Sequence, residues 1–264
     1  MLHLCLGIHI PSLKSPIVKL AIKGVSRKQD LMKEFKGKPR RRAITLPILE
    51  FLSNQIALDC HLSLFDKQLY HTIAVTAFHG SFRLGELVSR YATSFDSQFT
   101  LLCEDVSSSK IPFPDGSLVG CFSFKIKSPN VDRVGRGDLV EVFEVDSRLD
   151  PVSALSHYKD LLLQRGWLVP DKPFFRKDNG SCLTKDHVNR FLRDKFSSLL
   201  SPDEVLSCHS FRAGVSSHMQ AWGFSEEQIK GHGRWSSDAW KSYCKIPLIK
   251  RRLIASKLSS HFTN

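Results

Sequence analysis

Four residues carry most of the chemical information in this chain. His209 and Arg212 stand three apart in Cys208-His209-Ser210-Phe211-Arg212-Ala213-Gly214, a spacing that puts both on one face of a helix. Tyr243 follows in a second helical stretch between Lys241 and Lys245, and upstream Gly80-Ser81-Phe82-Arg83-Leu84-Gly85-Glu86 places an arginine at the start of a helical pattern. A phosphoryl transition state spreads negative charge over its non-bridging oxygens, so fixed cations aimed there supply most of the catalysis. Arginine suits this work, being planar, permanently charged and able to hold two oxygens at once. A histidine exchanges protons near neutral pH. A tyrosine can attack phosphorus through its phenolate, provided that nearby cations help it ionise from a free pKa of about 10. Together these types suit the breaking and rejoining of a DNA phosphodiester without metal.

Each residue also has a plainer reading. Arg83 could simply pair with Glu86 one turn on, worth about 0.3–0.5 kcal/mol. His209 could cap or fill a helix, and Tyr243 could be a core aromatic. It is the combination and its order that favour chemistry.

The elements that must position this set are mostly helical. Thr45 starts a helix with Pro47 in its first turn and Leu49, Leu52 and Ile56 facing inward. Asp66 begins another, with Leu69, Ile73 and Ala77 on one face, ending at Gly80, and Phe82 to Val88 forms a third. From Leu118 to Lys127 the period changes to two, Phe122, Phe124 and Ile126 alternating with Ser123, Lys125 and Lys127. With the β-rich run Leu139 to Val145 this predicts a β-hairpin. Asp150-Pro151 opens a helix closed by Gly166, and Thr184 caps one bearing Val188, Phe191, Leu192 and Phe196. The helix of His209 and Arg212 stops at Gly223, and Ser225-x-x-Gln228 is a capping box for the next. Pro247 begins a last helix with Ile249, Leu253, Ile254 and Leu258 on one side. The expected fold class is mainly α with a small antiparallel β-sheet.

Charge is unevenly placed. The chain of 264 residues carries +12. Residues 1–42 hold eleven Lys/Arg against Asp30 and Glu34, and the stretch from Ala239 onward holds six and no acid. The middle is therefore about −3. Basic ends of this kind grip a polyanion. Lys36, Lys38, Arg40, Arg41, Arg42, Lys125 and Lys241 are the expected nucleic-acid contacts, to DNA or RNA as far as charge goes, although Lys36 to Arg42 would equally suit a nuclear-import signal. The seven cysteines form no Cys-x-x-Cys pair, which argues against zinc ribbons and disulfide frameworks and for reduced thiols inside a cell. No apolar run is long enough to span a membrane, and Met1 to Ile10 lacks the features of a signal peptide.

His209-x-x-Arg212 followed by Gly233-Arg234-Trp235-Ser236-Ser237-Asp238-Ala239-Trp240-Lys241-Ser242-Tyr243 resembles the C-terminal signature of the tyrosine recombinases, or phage integrases. The Gly-Arg-Trp-Ser-Ser-x-Ala part is similar to the branch found in DIRS-like and Crypton-like eukaryotic mobile elements. The resemblance runs from about Ser15 to Lys245. It implies the tyrosine recombinase catalytic-domain fold over 43–264, preceded in 1–42 by a basic linker and a remnant of the N-terminal core-binding domain, whose last helix Ser15 to Gly24 resembles. It implies double-stranded DNA as partner, no cofactor, and a nuclear location if the host is eukaryotic. By resemblance, Arg83 and Arg212 hold the scissile phosphate, His209 moves a proton and Tyr243 is the nucleophile. A hairpin lysine protonates the leaving oxygen, Lys127 being preferred to Lys125. The sixth position falls among His232, Arg234 and Trp235. Trp235 is preferred because its indole N–H can donate to the phosphate. The helix 247–262 resembles the segment that relatives donate to a neighbouring protomer, which implies self-association on DNA. The rival readings are a non-cleaving DNA-binding relic and a type IB topoisomerase-like relaxing enzyme.

Overall fold

The computed structural model describes residues 40–127, 138–201, 203–235 and 238–242. The chain clusters into two units, one comprising Met1–Arg40 with Leu200–Glu204 and the other Arg41–Leu199 with Val205–Asn264. In the first, the described contact is the ion pair of Arg40 with Asp203 at 2.7 Å. All that follows concerns the second.

Its centre is helix α2 (Leu64–His79), buried continuously from Thr72 to Phe78 and packed against α1 (Leu46–Leu58), α4 (Pro151–Gln164) and α6 (His209–Ala221). The expected inward residues Leu49, Leu52 and Ile56 of α1 are buried, as are Leu69, Ile73 and Ala77 of α2. Each such side chain contributes about 1.5–3 kcal/mol. Helix α2 begins two residues before Asp66, because the Ser63 hydroxyl accepts the Asp66 N–H at 3.1 Å and so caps the first turn. Asp150 caps α4 by accepting the Ser153 N–H at 2.8 Å, and the chain leaves that helix through Gly166 at φ +66°. Beside α2 and α4, Phe65, Tyr158, Phe174 and Phe175 pack as edge-to-face and stacked rings 5.0–5.7 Å apart.

The sheet is antiparallel with order β1-β2-β3: Val106–Pro112, Leu118–Ile126 and Asp138–Phe143. The alternation of β2 and the β-rich run of β3 were legible, with Phe122, Phe124, Ile126, Val140 and Val142 buried. The expected two-stranded hairpin is corrected by β1. Its Val-Ser-Ser-Ser-Lys-Ile-Pro carries almost no apolar alternation, since it is an edge strand exposed along most of its length. Phe124 lies edge-to-face against Phe82 at 5.1 Å, fastening the sheet to the loop that carries Arg83.

The third expected helix shortens to α3 (Leu84–Leu87), with Arg83 as the residue before its first turn. Thr184 caps α5 (Lys185–Phe196) by accepting the His187 N–H at 3.3 Å. Ser225 and Gln228 form the reciprocal cap of α7 (Glu226–Gly233) as expected. A 3-10 turn, Asp238–Ser242, closes the described chain. The predicted helices over 15–24 and 247–262 lie outside the described residues.

Backbone meets backbone where the segment before α1 crosses α6. The Ile44 N–H donates to the Ser210 carbonyl at 2.9 Å, and a Cβ on Gly214 would stand 1.7 Å from the Ile44 oxygen. No side-chain rotation relieves that clash. Gly214→Ala is therefore expected to cost about 3 kcal/mol or more, at the upper end for overpacking. Urea unfolding measures it, and a loss below about 1 kcal/mol would mean that the two segments can part.

Candidate active site

The site is assembled where the α2–α3 loop, the start of α6 and the end of α7 converge. Arg212 is its buried member, 3% exposed. Its Nη1 donates to the Ser81 carbonyl at 2.7 Å and its Nη2 to the Gly233 carbonyl at 2.6 Å. Its guanidinium carbon lies 4.4 Å from the centre of the Trp235 ring, a cation–π stack. That stack needs a glycine at 233, since a Cβ there would fall 1.6 Å from the indole. Ser81 and Arg234, beside the two bonded carbonyls, both adopt left-handed backbone at φ 47° and 53°. Such residues cost about 1–3 kcal/mol each and persist where surrounding bonds over-determine them.

Arg83 stands at the rim, its side chain 44% exposed. Glu86, the third residue of α3, reaches back to accept the Arg83 N–H at 2.8 Å and the Arg83 guanidinium at 3.0 Å. The same carboxylate accepts Arg234 Nη2 at 2.6 Å, while Arg234 Nη1 bonds the Gly80 carbonyl at 3.3 Å. Arg234 thus packs inward onto Glu86 and the Phe82 ring, whereas Trp235 meets Arg212. His232, the remaining alternative for that position, is exposed on α7.

His209 opens α6 at the surface. Desolvation of its ring lowers its pKa below the usual 6.5, and the positive charges of Arg41, Arg212, Lys185 and Arg83 lower it further. Arg83, His209, Arg212 and Trp235 are therefore brought together. These surroundings favour the neutral form of the ring.

The hairpin lysines part company. Lys127 is ion-paired with buried Asp105 at 2.5 Å and donates to the Ser97 carbonyl at 3.1 Å. Lys125 is exposed on β2. Lys241 pairs with Glu226 at 3.1 Å and Asp238 at 3.3 Å. Arg42 lies beside the Leu199 carbonyl at 3.4 Å. Tyr243, Lys36 and Lys38 lie outside the described residues, Tyr243 immediately after the 3-10 turn that ends at Ser242.

Sequence reasoning passed over Lys185, the first residue of α5. A signal for it existed: a cation at a helix start opposes the helix dipole, so helix stability alone does not favour it there. Among the described residues no group of three or more His, Cys, Asp or Glu could hold a metal ion, and no helix is long and apolar enough to cross a membrane.

No family model and no curated protein matches this chain. Solved structures do. A post-cleavage complex of the XerH site-specific recombinase bound to palindromic difH substrate matches with a TM-score of 0.53 and 14% identity over 81% of this chain and 52% of that one. Its pre-cleavage complex with difH gives 0.52 and 14% over 80% and 52%, and the XerA recombinase 0.51 and 13% over 82% and 65%. The chain spans 52–65% of the length of these proteins. At this identity the likeness concerns the fold, an α+β tyrosine recombinase catalytic-domain fold.

Two outcomes follow from the geometry. Arg212→Ala removes both donors from buried carbonyls, at about 1–3 kcal/mol for each acceptor left unpaired. Urea unfolding should show a loss of about 3 kcal/mol or more, and a loss under 1 kcal/mol would deny Arg212 its structural part. His71, His79, His187, His209, His218 and His232 all have pKa values lowered chiefly by desolvation. Each binds fewer protons folded than unfolded, so stability is complete above about pH 7 and declines as pH falls through 6.5 towards 5. Urea midpoints between pH 7.5 and 5.5 check the sign, and a rise on acidification would contradict it.

Proposed function

We propose that this chain, folded as the site-specific recombinases are, cleaves and rejoins DNA strands through a covalent tyrosyl intermediate, as an integrase encoded by a mobile element. The observation that carries the reading is the convergence of Arg83, His209 and Arg212, the order in which the tyrosine recombinase signature has them, with Trp235 stacked on Arg212 one residue from the signature's sixth position.

In this scheme Tyr243 gives up its phenolic proton to His209 and its oxygen attacks the scissile phosphorus. Arg83 and Arg212 stabilise the charge gathering on the non-bridging oxygens, and the Trp235 indole N–H donates to one of them. The bond from phosphorus to the 5′ oxygen breaks, and Lys127 delivers a proton to that oxygen. To do so, Lys127 must exchange Asp105 for the substrate when DNA binds. A 3′-phosphotyrosyl link and a free 5′-OH remain. A 5′-OH from a partner strand then attacks phosphorus and returns the phenol. The ester conserves the bond energy, so the scheme consumes no nucleotide triphosphate.

Double-stranded DNA is the proposed partner, gripped by the basic segment 36–42, Lys125 and Lys241. Self-association through 247–262 belongs to the same reading. A non-cleaving DNA-binding relic is the second reading. It is favoured by one observation, that Arg83, Arg212 and Lys127 are all engaged by protein acceptors.

A pool of nicked duplexes with randomised cores separates the two, because the nick lets the 5′ fragment escape and traps the adduct. Wild-type protein should form a protein–DNA adduct that resists denaturation, and Tyr243→Phe should abolish it. Lys127→Ala should slow trapping at least 100-fold, within the range for a lost general acid, with Lys125→Ala much milder. No adduct from wild-type protein would establish the relic reading, and the reverse order of the lysine variants would move the proton donor to Lys125.

A further inference from the structure

The cations assigned to the site or to DNA differ in how far their charge is already committed. Arg83 faces Glu86, Arg234 faces Glu86, Lys127 faces Asp105, and Lys241 faces Glu226 and Asp238. Lys185 makes no side-chain hydrogen bond or ion pair among the described residues, yet its place is tightly determined. The Ser89 N–H donates to the Leu183 carbonyl at 3.0 Å, and Ser89 and Thr184 bridge in parallel, holding the start of α5 against the residues that follow α3. On the other side, the Cys208 N–H donates to Asn189 Oδ1 at 2.9 Å, holding the first turns of α5 against the residue before His209.

Between these two fastenings the Lys185 side chain lies along α3. A methyl on Gly85 would sit 3.4 Å from Lys185 Nζ and 3.5 Å from its Cδ and Cε, so the stem runs over the glycine two residues after Arg83. The ammonium thereby lies over the first residues of α3, the helix that Arg83 precedes. Lys185 is exposed, so neither core packing nor helix polarity accounts for a cation here. An unpaired ammonium in a fixed place beside a phosphate-holding arginine is suited to a backbone phosphate, which takes a lysine as a point charge.

We propose that Lys185 is a phosphate-binding residue of this site, its ammonium gripping the DNA backbone beside Arg83 while its stem rests on α3 at Gly85. The assignment rests on the DNA reading above. The charge of Lys185 acts on His209 together with those of Arg41, Arg212 and Arg83.

The test uses the full chain and a duplex oligonucleotide of arbitrary sequence, since phosphate contacts are sequence-independent. Fluorescence anisotropy across a salt series should give Lys185→Ala a log–log slope shallower by about 0.9, the release of roughly one counterion, with affinity several-fold weaker at low salt. Lys185→Arg should restore both. The melting temperature of Lys185→Ala should be unchanged, which separates lost binding from lost folding. On nicked duplexes, Lys185→Ala should also trap adduct more slowly than wild type. If slope and affinity match wild type, the proposal is overturned. If wild-type protein traps no adduct but the slope changes as expected, the cleavage reading falls and the Lys185 contact stands.

Discussion

Two hydrogen bonds from one buried guanidinium tie together segments 131 and 21 residues away from Arg212. Ser81 closes the loop before Arg83, and Gly233 ends the helix before Trp235. Charge-assisted bonds to carbonyls are worth more than neutral ones, about 1.5–3 kcal/mol each. That suffices to hold Ser81 and Arg234 in left-handed conformations that side chains otherwise avoid. The Trp235 ring covers the guanidinium face, and Gly233 makes the cover possible. Every other group of the site is placed relative to this knot: Arg83 two residues beyond one anchor, Trp235 two beyond the other, and His209 one turn before the arginine itself.

Around the knot the charges are balanced, and the balance is local. The nearly buried Glu86 carboxylate would by itself cancel Arg83. Arg234, turned inward by its left-handed backbone, restores a net positive charge to the group of three. Paired buried charges are seldom a source of stability, because desolvation offsets most of the attraction. Their value here is orientation: Glu86 binds the backbone N–H and the side chain of Arg83 together, fixing which way the guanidinium can point. The same field acts on His209, whose proton is disfavoured by four cations as well as by burial. These surroundings favour the neutral ring over the imidazolium.

The fold supplies this geometry by close approach. Gly214 lets the segment before α1 lie directly on α6, Phe124 meets Phe82 so that the sheet supports the Arg83 loop, and α2 fills the middle. These contacts join residues far apart in the chain, so the site depends on the whole core having formed.

Much of this could be read from residue order alone. Period-two alternation marked β2, β-rich composition marked β3, and cap residues marked α4, α5 and α7. Strand β1 was hidden because an edge strand buries too little to need alternating apolar residues. Lys185 was hidden because its place is set by packing against α3, a hundred residues away along the chain. The choice among Arg234, Trp235 and His232 was likewise closed to counting, since neighbouring side chains diverge once the backbone turns left-handed at 234. Sequence by itself determined which residue types are present and which local elements they form, because caps, turns and periodicity act over a few residues. Tertiary structure alone decided that Arg212 serves two carbonyls, that Lys127 faces Asp105 and that Lys185 has no side-chain partner among the described residues. Those outcomes depend on distances between segments that have no relation along the chain.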